Sequence, residues 1–175
     1  MSIVIEMLKK QAHALHQQAR ARDQKSLVRL RNLRQFKSLD DEQIIAEVKR
    51  RHCLKVIAQE IGFAGWPHAL QIIEGSNTED FGTFFYPKGC GAHSNIWCAS
   101  YEEAQNIRSD HGGFLLAYKH QFLVVDDDYI REMGLNPTDP ELAAFGRDWV
   151  NPGNAPLREK LFAKVVPAVQ ARNLT

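Results

Sequence analysis

The segment CGAHSNIWC, residues 90–98, brings two thiols and an imidazole close together along the chain, with His111 and His120 downstream. Two chemistries use such a set. A structural zinc ion needs about four deprotonated ligands in a tetrahedron, commonly from paired Cys-x-x-Cys knuckles. Cys90, His93 and Cys98 supply one Cys-x-x-His and no second matched pair. A nucleophilic thiol needs a base within reach and an acid to orient that base. Cys90 lies in a glycine-flanked loop and is the nucleophile of choice. His93 or His111 would be its base, and Asp126 an acid in support. Against both, Cys98 sits in a strand-like stretch where a free cysteine packs as a small hydrophobe. The run Asp126, Asp127, Asp128 follows VV and could hold a hard cation, but three acids there also cap the helix that comes next. His13 and His16 share a face of one helix, a pair short of a third ligand. No catalytic or cofactor motif is complete, so the expectation is a non-catalytic protein with no cofactor and no metal.

Other residues suit binding rather than bond-making. Lys49, Arg50, Arg51 and Lys55 cluster on the sequence and suit phosphate contacts. Just beyond them, IAQEIGFAGWPHAL has Ala58 and Gly62 where a DNA-reading helix-turn-helix wants them. However, His68 falls on its apolar position, and the second helix offers only His68 and Gln71 to base edges. Phe63 and Trp66 read as apolar plugs, making the corner a packed bend. Aromatic residues crowd the second half. Trp97 and Tyr118 are the candidates for a partner-facing surface there.

These residues are carried on elements of two kinds. Residues 1–74 have no proline before Pro67 and no glycine before Gly62, and read as all helix. Ile5, Leu8, Ala12, Leu15 and Ala19 recur at steps of three and four and line one face. Asp23 caps a second helix carrying Leu27, Leu30 and Leu33. A third begins after Ser38, with Asp40, Asp41 and Glu42 in its first turn and Lys49, Arg50 and Arg51 in its last, as the helix dipole prefers. A fourth, with Leu54, Ile57 and Ile61 on one face, ends at Gly62. A fifth starts at Pro67 and ends at Gly75. The polar stretch 74–80 is a linker between a helical bundle (1–75) and an α+β unit (81–175).

The second half changes period. Residues 81–87 and 94–99 read as strands. Ser100 and Glu103 form a capping box for a helix reaching Asp110. Residues 114–119 and 122–126 form a hairpin. DDYIREM is a short helix. A box at Thr138–Glu141 starts another that runs through LAAFGRDWV. The last helix starts near Pro156, with Pro167 kinking or ending it. The fold class is α+β: an N-terminal helical bundle, then a small antiparallel sheet with flanking helices.

Of the 175 residues, 44% are hydrophobic and 25% charged, ordinary for a soluble domain. No apolar run is long enough to span a bilayer, and no signal peptide is evident. Three cysteines fit a reducing, cytosolic compartment. Residues 1–74 carry 13 basic and 8 acidic side chains, a balance of +5, while residues 75–175 carry 9 and 13, a balance of −4. A basic front can meet a polyanion or simply be solvated.

Ala58, Glu60, Ile61, Gly62, Phe63, Trp66 and Leu70 together resemble a short helical module, A-x-E-[LI]-G-F-x-x-W, found in many bacterial proteins, some with ankyrin repeats or glyoxalase-related domains. The resemblance covers about residues 50–75 and implies an architectural accessory with no catalytic residues of its own. Residues 96–130 also resemble bacterial proteins of uncharacterised activity. The reading is therefore a bacterial-type cytosolic accessory protein that binds a protein or small molecule, with no membrane association. The alternatives are a small enzyme on the Cys90/His93 loop and a weak nucleic-acid binder through Lys49, Arg50, Arg51 and Lys55.

Overall fold

A computed structural model describes residues 2–77, 79–151 and 153–174, so position 78 of the linker lies outside the described residues. Five helices open the chain: α1 (Ile3–Arg20), α2 (Gln24–Arg31), α3 (Asp41–Glu47), α4 (Arg50–Glu60) and α5 (Trp66–Glu74). Then come strand β1 (Asn95–Cys98), α6 (Tyr101–His111), the hairpin β2 (Phe114–Tyr118) and β3 (Gln121–Val125), α7 (Asp127–Glu132), α8 (Pro140–Ala144) and α9 (Ala155–Leu174). The chain is α+β, as its sequence predicts.

Side chains close most helix starts. Ser2, Asp23, Asp40, Ser100 and Asp126 each accept a hydrogen bond from the first turn they precede. The α1 stripe of Ile5, Leu8, Ala12, Leu15 and Ala19 is buried, and α1 packs on α2, α4, α5 and α9.

The sheet is antiparallel with strand order β1-β3-β2. Its faces are covered differently. Leu115 and Val124 meet Cys98 and Ala104 under α6, whereas Phe114, Leu116, Leu123 and Val125 join the main core. This explains why β2 is apolar without alternation: both of its faces are buried. The main core is continuous from Val4 in α1 to Val169 in α9. Helix α9 packs on α1, α4 and α5 as well as on α8.

Several elements differ from the sequence expectation. Residues 81–87 form turns instead of a strand. Phe81, Phe84 and Phe85 are buried in the main core, and the backbone at 81–82 pairs with the hairpin tip (Phe81 N–H to Lys119 O, 3.0 Å; Lys119 N–H to Gly82 O, 2.7 Å). Lys49, Arg50 and Arg51 do not close α3, which ends at Glu47. They open α4, where the Lys49 N–H donates to His52 Nδ1 at 3.2 Å. The helix expected through LAAFGRDWV stops at Ala144. Its cap is Asp139 rather than Thr138, and residues 147–149 run alongside β2, bonding to both sides of Leu115. Leu33 lies beyond α2 yet remains buried. Pro167 sits inside α9, which continues to Leu174.

Candidate functional site

The α4–α5 corner is built from the backbone outwards. Helix α4 unwinds at Gly62, whose φ of 95° is left-handed, and the Phe63 N–H returns to Ala58 O at 2.9 Å. The Gly62 carbonyl receives both the N–H (2.8 Å) and the hydroxyl (3.2 Å) of Thr83. Phe63 stacks on Phe84, with centroids 5.4 Å apart. His68 Nδ1 accepts the Ala64 N–H at 3.0 Å, so its proton is on Nε2, which donates to Asp80 O at 2.7 Å. His120 binds the neighbouring Glu79 carbonyl through Nδ1 at 2.7 Å. The two histidines thus fasten the linker from both sides. With His68 closed inwards and the Gln71 side chain held by Asn77, α5 has little left to present to base edges.

Trp66 differs from Phe63. It is only half-buried and lines a groove of about 540 Å³ between α4 and α5, together with Gln35, Arg51, His52, Leu54, Lys55 and Pro67. Arg51 and Lys55 are exposed and stand one helical turn apart, on one face of α4. Burial holds the His52 pKa below its ordinary value, and the charges of Arg51, Lys49 and Lys55 lower it further, while Glu47 opposes them. His52 is therefore neutral near pH 7, with one proton to place. Its Nδ1 faces the Lys49 N–H at 3.2 Å and its Nε2 faces the Arg51 Nε–H at 3.3 Å. A neutral imidazole accepts at one of these nitrogens at a time. The groove's cationic wall is supplied by the Arg51 guanidinium and the Lys55 ammonium.

The predicted thiol set is placed elsewhere. Cys90 is fully buried in the main core, and burial pushes its thiol up to about 11 despite the opposing charge of Arg172. Its neighbour His93 reaches Glu132 (3.9 Å), which pairs with Arg172 at 2.6 Å. The His93 ring makes no hydrogen bond to the Cys90 sulfur. Cys98 belongs to the separate cluster beneath α6. Among the described residues, no group of three or more His, Cys, Asp or Glu side chains is arranged to hold a metal ion.

His111, Asp126 and Asp127 do come together, with Ser94, around a second hollow of about 340 Å³ at one end of the sheet. Asp126 is engaged in capping α7 through the Tyr129 N–H (2.9 Å), and no hydrogen bond joins it to His111 or Ser94 among the described residues. Trp97 and Tyr118 also meet. With Tyr86 they form a cluster whose centroids are 5.4–5.5 Å apart, and Trp97 is 40% exposed.

Sequence reasoning missed three participants: His52, Gln35 and the groove-lining part of Trp66. His52 carried a legible signal, since it follows Lys49 by three positions, where a side chain can reach back to the N-cap amide. Gln35 reaches the groove only because the chain turns after α2.

The fold defines an α+β protein with a cationic, tryptophan-walled groove in its helical part. Comparison with protein-family models, curated proteins and solved structures found no match.

Proposed function

We propose that this chain is a non-catalytic binding protein that receives an anionic partner in the α4–α5 groove. The observation that supports this most is the convergence of Trp66, Arg51, His52 and Lys55 on one hollow. Such a site combines a rigid apolar wall with cationic donors, the pairing that gives both contact area and charge complementarity. The accessory role implied by the helical module is consistent with it. Ala58, Glu60, Ile61, Gly62 and Phe63 all have partners inside the protein, and Trp66, which also packs against the core, is the motif residue that lines the groove.

The enzyme reading on Cys90 and His93 has weaker support, because a thiol held protonated and sealed from solvent is a poor nucleophile. Calorimetric titration with short anionic oligomers (hexaglutamate and single-stranded octathymidylate) tests the proposal at low salt. Binding of at least one is expected. It should fall as salt rises, and drop at least tenfold in Arg51→Glu/Lys55→Glu. Absence of binding by both oligomers would overturn the reading.

A further inference from the structure

Resting on that reading, we infer that the anion is a nucleotide within a single strand of nucleic acid, with its base on Trp66 and its phosphate on Arg51 and Lys55. Three observations carry this. The groove has one flat wall, the half-buried Trp66 indole, and a base offers a flat face to stack on it. Two cations stand beside it: Arg51 and Lys55 are exposed, line the groove and lie one turn apart on the same helix. A phosphate accepts from several such donors at once, and arginine is well suited to that geometry. Finally, the cationic strip outruns the groove. Lys49 and Arg50 are exposed at the start of α4, just before Arg51, where neighbouring phosphates of a continuing strand can lie.

An acidic peptide would satisfy the cations but would leave the indole face without a planar partner. Duplex DNA would need side chains free on α5 to enter a groove, and His68 is bonded within the protein through both ring nitrogens while Gln71 gives its side-chain oxygen to Asn77. The site therefore recognises stacking and phosphate rather than base sequence.

The test compares octathymidylate, thymidine monophosphate and hexaglutamate on the intact protein. Binding would be read by calorimetry and by amide and indole shifts in NMR spectra. The expected result is that octathymidylate binds, shifts the Trp66 indole signal and loses affinity as salt rises. Thymidine monophosphate should bind at least tenfold more weakly, having no neighbouring phosphates for Lys49 and Arg50. Trp66→Leu should weaken the oligonucleotide about tenfold. Lys55→Glu, an exposed change that leaves the fold intact, should do the same and reduce the salt dependence. Equal affinity for the mononucleotide would overturn the strand proposal in favour of a small nucleotide. Hexaglutamate binding alone would overturn the inference and leave the anion-binding function standing. Binding by none of the three would overturn both.

Discussion

Cys53, Cys90 and Cys98 are each sealed from solvent, and burial is the largest influence on each thiol. For Cys53 and Cys90 it raises the pKa from 9.0 to about 11. The consequence for stability follows from which state ionises first. Below pH 9 both folded and unfolded thiols are protonated and nothing is lost. Between about 9 and 11 the unfolded thiols shed protons while the folded ones keep them, so the unfolded state gains. Stability should fall across that window by roughly 1–2 kcal/mol per thiol, as followed by urea midpoints at successive pH values. The double variant Cys53→Ala/Cys90→Ala should show a flatter profile than the native chain. Native Cys90 should also resist iodoacetamide at pH 8 until the protein is unfolded. Rapid labelling would restore it as a reactive thiol. Its place in the sequence, between glycines and near a histidine, was legible as a loop. Its burial was not, because it depends on the core that α7 and α9 close around it.

At the scale of elements, the α4–α5 corner shows why one residue type is required. A Cβ at Gly62 would stand 2.7 Å from both the Phe84 nitrogen and the Thr83 hydroxyl, at a φ that side chains disfavour. Gly62→Ala is expected to destabilise by about 2–4 kcal/mol, measured as a shift in the denaturation midpoint. A neutral outcome would mean that the 81–84 turn does not dock there. Local rules found this corner easily, since a glycine stop and a proline start are read from a few adjacent residues. They misplaced the boundary between α3 and α4. Lys49, Arg50 and Arg51 favour a helix C-terminus by charge, but the bond from the Lys49 amide to His52 starts a new helix under them. They also made a strand of 81–87, because Phe and Tyr suit a pleated surface. The rings instead plug a core between α5, the hairpin and α9, and the backbone bends to place them.

Across the whole molecule, the two parts share one interior. Arg158 on α9 is 2% exposed, and its guanidinium donates to Ile72 O in the last turn of α5 (2.7 Å) and to Trp149 O (3.2 Å), over the face of Phe162. Burial draws its pKa down to about 10, still far enough above neutrality to keep the charge. The carbonyl end of α5 is the negative end of its dipole, which helps to hold a cation there. Glu60 makes a second tie. It takes a bidentate pair from Arg29 (2.7 and 2.8 Å) and a bond from Gln170 on α9 (3.1 Å). Arg158→Ala should therefore cost about 3 kcal/mol, measured by urea unfolding. Far-UV circular dichroism and tryptophan fluorescence should follow a single coincident transition. Two separated transitions would show that the helical and α+β parts hold themselves together independently.

The sequence by itself determined what short-range chemistry decides: the α+β class, the apolar stripe of α1, the caps at Asp23, Ser100 and Asp126, the hairpin, and the bend at Gly62. Each depends on residues within about a turn or a strand of one another. Tertiary structure alone decided the rest. It buried Cys90 in the main core, spent His68 and His120 on the linker, paired 147–149 with β2, and set the half-buried Trp66 in one groove with Arg51 and Lys55. Those outcomes depend on which surfaces meet across the chain, and pairings between distant residues leave no periodicity along it.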